Sequence, residues 1–374
     1  MAVAFPYREK AQNIAADLRT RITRGDLTCG DRLPTRAQLR DLYGVTSDTL
    51  QRALTCLMDE GFVESAGRRG TFVSMTPPHL TNYALLFPNR FLPGLPVNRF
   101  YHALYQEAMA VPKERQMQIC DGFTGRAGFL DYESLVEDMR QDRLAGVIFA
   151  TAPWALDGTP MLADDGMPRT AIMSTARYPH IPAVTTDSEA FFRLAAERFS
   201  AAGRRRVAVF VSSGLSEPDV AMIRRTMTSH DLLPDDDLLI GVGLSQPAWA
   251  ATILRLIFRA PPSQRPDALL IADDNMVEAV TQAIQEMGRG VCDDLLVIAQ
   301  SNQPWPPTCH VPIIRIGCQV PDILAACLRN IDTMRDGGTP APLTVITPQL
   351  DESLLSPSAA QHRSVSIAIA DRET

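Results

Sequence analysis

No stretch of this 374-residue chain approaches the ~18 consecutive apolar residues that span a bilayer, which excludes a membrane-crossing helix. Its seven cysteines are an odd number without paired metal spacing; Cys318 and Cys327, for example, stand nine apart. The six histidines are scattered, with no HxH or HExxH pair, so no metal site is expected. Lysine occurs only at positions 10 and 113. GxSxG, GxxxxGK[ST] and a GxGxxG following a strand are all missing, so neither an enzyme nor a bound cofactor is expected. The first residues, MAVAFPYREKAQ, are charged by position 8 and leave no room for the apolar core of an export signal. Reduced thiols in a cytoplasmic protein are the expectation.

The charge that is present is unevenly spread. Residues 1–75 hold eleven Arg/Lys against nine Asp/Glu, a net of +2, and the remainder twenty-five against thirty-four, a net of −9. A faintly basic head on an acidic body suits a small nucleic-acid-contacting module joined to something else. The paired prolines of SMTPPHLTN mark the junction. The expected domains are therefore a head over 1–75, a linker over 76–82, a body over 83–350 and a C-terminal extension over 351–374.

In the head, Ala11, Ile14, Ala15, Leu18 and Ile22 form a helical stripe, stopped near Gly25. TRAQ at 35–38 has the form of a capping box, Thr35 accepting from the Gln38 amide and Gln38 reaching back. The short helix after it is expected to turn Leu39, Leu42 and Tyr43 inward and to end at Gly44. Thr46 then caps a third helix whose Leu50, Ala53, Leu54, Leu57 and Met58 fall on one face. FVESAGRRGTFVS reads as two short strands joined by a basic, glycine-flanked turn. Three helices and such a hairpin make a winged helix-turn-helix. Its third helix would enter the major groove, presenting Ser47, Thr49, Gln51 and Arg52 beyond the Thr46 cap, with Asp48 and Thr55 also exposed. Arg36 and Arg40 on the preceding helix would meet phosphates, and Arg68 and Arg69 at the hairpin, with Thr71 beside them, would meet a phosphate backbone or the minor groove. The competing reading is a protein–protein module with solvated arginines.

The body alternates short apolar runs (83–87, 117–120, 146–150, 169–173, 206–211, 238–242, 267–272, 295–299, 313–317) with helical patterns (98–111, 131–142, 187–202, 218–230, 246–259, 274–287, 320–334). That order predicts an α/β fold of parallel sheets with helices on both faces, and so many strands suit two lobes. In such a body ligands collect at the carboxyl ends of strands, in an interlobe cleft. The candidates there are Phe100, Tyr101, Ser174, Arg177, Ser213, Asp274 and Gln300. Asp274 could hold adjacent hydroxyls or cap the helix that follows, and the two readings stay open. Asp187 reads as a cap.

The head resembles the GntR-type bacterial transcription regulators through G-x-L-x-x-G-x-x-LP at 25–34, L-x-x-x-x-GV at 39–45, T-L-Q-x-AL-x-x-L-x-x-x-GFV at 49–63 and GRRGTFV at 67–73. It departs from that pattern at Arg36-Ala37, where the family has Glu-Arg, and at Ser47 and Gln51, where it often has arginine. The body resembles the LacI-type, periplasmic-sugar-binding-protein-like sensors, best over 266–302 and 181–211. The pairing looks like the arabinose-repressor branch of the GntR regulators. The resemblance implies a type I periplasmic-binding-protein fold, an aromatic ligand wall at Phe100 or Tyr101 and hydroxyl binding at Asp274. It also implies ligand contact at Asp219, which stands where the family has an arginine. Gln300-Ser301-Asn302 replaces the family's acidic residue.

The expected function is a DNA-binding transcription regulator, a repressor, whose operator affinity responds to a sugar or sugar derivative. Its expected partners are double-stranded operator DNA, the sugar-like effector and a second copy in a homodimer, with no membrane. The alternatives are a constitutive DNA-binding protein with a degenerate sensor, and an α/β enzyme.

Overall fold

The computed structural model describes residues 6–91, 98–112, 114–123, 132–163, 166–174, 178–232, 238–292 and 294–351. Arg177 and the segment beyond 351 lie outside these residues. The head consists of α1 (Pro6–Thr23), α2 (Arg36–Tyr43), α3 (Ser47–Asp59) and an antiparallel hairpin of β1 (Val63–Ser65) and β2 (Thr71–Val73). Both anticipated caps are present. Thr35 and Gln38 close a capping box, and Gly44 ends α2 in the left-handed conformation at φ 60°. That conformation strains any residue with a β-carbon, so the turn into α3 depends on glycine. Leu18, Leu39, Leu50, Leu54, Leu57 and Phe62 are the fully buried centre of the head. Leu42 is a correction. The helical stripe pointed it inward, yet it is 63% exposed, because an eight-residue helix with Leu39 already seated has only one narrow buried edge.

The segment expected as a linker carries a one-turn helix, α4 (Pro78–Thr81), followed by β3 (Asn82–Phe87), α5 (Arg99–Met109), β4 (Gln116–Asp121), α6 (Tyr132–Arg140), β5 (Gly146–Phe149), α7 (Pro160–Ala163), β6 (Arg169–Ile172) and β7 (Ala183–Thr186). The chain continues through α8 (Ser188–Ala201), β8 (Val207–Ser212), α9 (Glu217–Thr228), β9 (Leu239–Val242), α10 (Trp249–Ile257), β10 (Ala268–Ile271), α11 (Val277–Glu286), α12 (Arg289–Cys292), β11 (Leu296–Gln300) and β12 (Ile314–Gly317). Last come α13 (Val320–Arg335), β13 (Leu343–Ile346) and β14 (Gln349–Asp351).

These elements form two compact units. One holds the head and a first lobe, residues 1–186 with 320–346, and the other a second lobe, residues 187–319 with 347–374. Each lobe has one six-stranded sheet, ordered β4-β3-β5-β6-β7-β13 in the first and β9-β8-β10-β11-β12-β14 in the second. All pairings in the two lobes are parallel except β12 with β14. Strands such as β5 and β10 are buried at every position, which explains why they read as continuous apolar runs rather than alternating ones.

Two close approaches depend on glycine. At Gly146 a β-carbon would press into the Ile331 side chain of α13 at 2.5 Å, and at Gly317 it would overlap the Ser301 carbonyl oxygen. Three strands escaped the sequence pattern: β7, β13 and β14. All are three or four residues long, and the last two are sheet edges whose exposed positions dilute the apolar signal.

Candidate nucleic-acid interface and ligand-facing strand ends

The surface of α3 starts at Thr46, whose side chain accepts from the Thr49 amide and ends the turn from α2. Thr46, Ser47, Asp48, Arg52 and Thr55 are exposed, and Gln51 is half-buried. Thr49 overturns the expectation of a DNA-facing hydroxyl. It is 4% exposed, and its Oγ1 lies 3.0 Å from the Thr46 Oγ1. It shares the inner face with Ala53 one turn later, so its hydroxyl serves the cap. Arg40 of α2 reaches forward to donate from Nη1 to the Ser47 Oγ at 3.1 Å, which bridges the two helices on their outer side. Gln51 Nε2 donates to the Thr55 Oγ1 at 3.1 Å, and that bond presents the amide along the helix rather than free in solvent. Asp48 in the first turn favours the positive helix end and puts a negative charge on the exposed face of α3.

The basic turn is a single 3-10 turn over Gly67–Arg69 with both arginines exposed, while Thr71 at the start of β2 is half-buried. Among the described residues, Arg36, Arg52, Arg68 and Arg69 have no ion pair. Arg19 and Arg143, by contrast, are both paired to Glu60. The cations packed against Glu60 are thus neutralised locally.

In the first lobe, Asn98 caps α5 by accepting from the Phe100 and Tyr101 amides at 3.0 and 3.3 Å. This places both aromatics, half-buried, beyond the carboxyl end of β3. Tyr101 meets Phe87 edge-on at 5.8 Å, and burial, opposed by a hydrogen bond with Thr151, raises its phenol above the ordinary value. Ser174 lies exposed just past β6. Thr151, at the end of the β5 run, thus joins Tyr101 in one group.

In the second lobe, Ser213 follows β8 and is exposed. Asp219 closes a capping box with Ser216, accepting from its hydroxyl at 2.6 Å, so its carboxylate serves its own helix. Asp187 caps α8 by accepting from the Ala190 amide at 2.9 Å. Asp274 is 2% exposed and accepts from the Asn302 Nδ2 at 2.7 Å. It does not cap α11, which begins after Met276 without a side-chain cap. Next to it, burial pushes the Asp273 carboxyl up, against two bonds from Asn275 that lower it. Gln300 ends β11, half-buried.

Reading the sequence in order did not mark Asn302 as a partner for Asp274. The two are 28 residues apart and meet only because β10 and β11 are neighbours. Among the described residues no group of three or more His, Cys, Asp or Glu could hold a metal.

Comparison with known proteins agrees with this geometry. Residues 10–73 match the bacterial regulatory proteins of the gntR family, and residues 196–352 match the periplasmic binding protein-like domain. The arabinose metabolism transcriptional repressor of Geobacillus stearothermophilus is 21% identical over 346 residues, covering 84% of this chain and 90% of that protein. The mannosyl-D-glycerate transport/metabolism system repressor of Escherichia coli is 39% identical over 62 residues, 17% of this chain and 26% of the repressor. Among solved structures, a LacI family transcriptional regulator from Lactobacillus casei with bound sucrose superposes with a TM-score of 0.54 at 19% identity, over 72% of this chain and 98% of that one. The chain is a transcription regulator that joins a gntR-family winged helix-turn-helix to a two-lobed, periplasmic-binding-protein-like body.

Proposed function

We propose that the protein is a cytoplasmic repressor that binds a two-fold-related operator as a homodimer and changes its grip when the body takes up a small carbohydrate. The observation that carries this reading is the set of arginines without an ion pair among the described residues, Arg36 on α2, Arg52 on α3 and Arg68 and Arg69 at the hairpin turn, on a fold of this class. Phosphates would be held by these cations together with Arg40, and base edges would be read by Ser47, Gln51 and Arg52. Phe100 and Tyr101 in the first lobe offer an apolar wall for a sugar ring. Ser213, Asp274 and Gln300 in the second offer hydroxyl partners, as Ser174 does in the first. For the effector to act, it must bind two arrangements of the body with different free energies. The name of the relative that spans the body, an arabinose metabolism repressor, supports a sugar as effector. The same relative supports regulation rather than catalysis.

The test is fluorescence anisotropy on DNA from upstream of the protein's own gene, repeated across a panel of pentoses, hexoses and disaccharides. Nanomolar, salt-dependent binding relieved by one sugar is the expected result. Binding that no sugar alters, with no sugar raising the melting temperature, would favour the second reading, a constitutive DNA-binding protein with a degenerate sensor. That reading has one observation on its side: Asp219, expected at a ligand contact, is committed to the cap of α9.

A further inference from the structure

We propose that Arg32 is a third phosphate-binding cation of the wing, carried on a segment outside the hairpin and admitted by Gly70. The inference rests on the DNA-binding reading of the head. The backbone of 30–33 runs along β2, joined to it by an isolated bridge and flanking hydrogen bonds. The Gly30 amide donates to the Val73 carbonyl at 3.1 Å, the Leu33 amide to the Thr71 carbonyl at 2.9 Å and the Val73 amide to the Asp31 carbonyl at 2.9 Å. Arg32 pairs opposite Phe72 in an antiparallel bridge. Leu33 points into the core, 3% exposed, so the alternation of an extended backbone turns Arg32 to the solvent face, where it is exposed.

Its side chain then lies across the wing. A β-carbon on residue 70 would stand 2.8 Å from the Arg32 Nε and 3.3 Å from Nη2, and residue 70 has φ +116°. Glycine is therefore needed there for two reasons, its backbone angle and the guanidinium resting on it. Gly70 directly follows Arg68 and Arg69, which brings three arginines to one turn.

Among the described residues no carboxylate is ion-paired with Arg32. Its neighbour Asp31 is turned away, accepting from the Thr28 amide at 2.7 Å and the Thr28 hydroxyl at 2.8 Å. A planar guanidinium resting against Gly70 can fork onto a phosphate through two N–H donors.

The full-length protein is titrated against a fluorescein-labelled mixed-sequence DNA duplex over a series of salt concentrations. Each phosphate that the protein no longer neutralises should flatten the slope of log K against log salt by about 0.9. Arg32→Ala is expected to flatten it by that amount, with the same fractional loss on operator DNA, and Arg32→Lys to restore it. Arg32→Gln, neutral and of similar length, carries the test should Ala lower the melting temperature. An unchanged slope in the neutral variants overturns the proposal, as does a loss that Arg32→Lys fails to rescue. If the unaltered protein binds no duplex, the DNA-binding reading fails and takes this inference with it; if it binds and the Arg32 variants match it, only the inference fails.

Discussion

Glu60 holds two cations with its two carboxylate oxygens. Oε2 lies 2.6 Å from Nη2 of Arg19, and Oε1 lies 3.4 Å from Nη1 of Arg143. Arg19 belongs to α1, Glu60 caps the C-terminal end of α3, and Arg143 stands between α6 and β5 of the first lobe. The Arg19 and Glu60 side chains are 9% and 10% exposed, and the Arg19 guanidinium also lies over the Phe62 ring at 5.5 Å. One carboxylate thus ties the end of α3 to both the head core and the first lobe.

Removing one member of a nearly buried pair leaves the other charge without compensation. Glu60→Ala should cost about 3 kcal/mol in urea denaturation. Arg143→Ala, which removes the longer and more exposed Glu60 contact together with a part-exposed ion pair to Asp138 at 2.7 Å, should cost less, about 1 kcal/mol. Equal losses from the two variants would contradict the placement of Arg19 as the main partner.

His79 of α4 stacks on Phe62 at 5.7 Å with the rings 10° from parallel. Burial, aided by the nearby positive Arg335, lowers its pKa to about 4. The unfolded chain takes up this proton near pH 6.5, whereas the folded one resists until about pH 4. The imidazole's contribution to stability is therefore complete above pH 6.5 and is lost as pH falls toward 4. Replacing it by His79→Phe keeps a flat ring and removes the proton. Melting temperatures of the two proteins should diverge in favour of the variant as pH falls through this window; parallel curves would refute the assignment.

Gly317 ends β12 against the Ser301 backbone. Ser301 donates its amide to the Ile316 carbonyl at 3.0 Å, so neither chain can retreat without breaking the sheet. Gly317→Ala should destabilise by ~3 kcal/mol or more. Gly290→Ala is the control, since no atom lies within 4 Å of its added carbon and the change should be near neutral. The comparison is read from chemical denaturation midpoints.

On the proposed operator, Gln51→Ala and Arg68→Ala should fail differently. Gln51 stands where a base edge would be read, so its loss should change sequence preference by about 1–3 kcal/mol at one position. Arg68 would touch only phosphate, and its loss should weaken all sequences alike and reduce the salt slope. A selection from randomised operators distinguishes the two. Identical base preferences from both variants would remove Gln51 from the reading surface.

What could be read along the chain was whatever depends on neighbours in sequence. The Thr35–Gln38 box, the Gly44 stop, the Thr46 and Asp187 caps and the alternation of buried strands with helices all follow from local backbone chemistry and periodicity. They suffice for a winged head on a two-lobed parallel body. Periodicity could not tell whether a borderline side chain would find room inside. Leu42 and Thr49 therefore exchanged their expected environments, because one short helix had a single seat and one hydroxyl had a cap to serve.

The remaining decisions belong to strands and helices far apart in sequence. Asp274 meets Asn302 because β10 lies beside β11. Glu60 meets Arg143, 83 residues on, because the head rests on the first lobe. Arg32 crosses Gly70 because the 30–33 segment bridges to β2 beside the wing. The chain dictated each of these residues, but their partners follow from strand order and packing, and no local pattern carries that information.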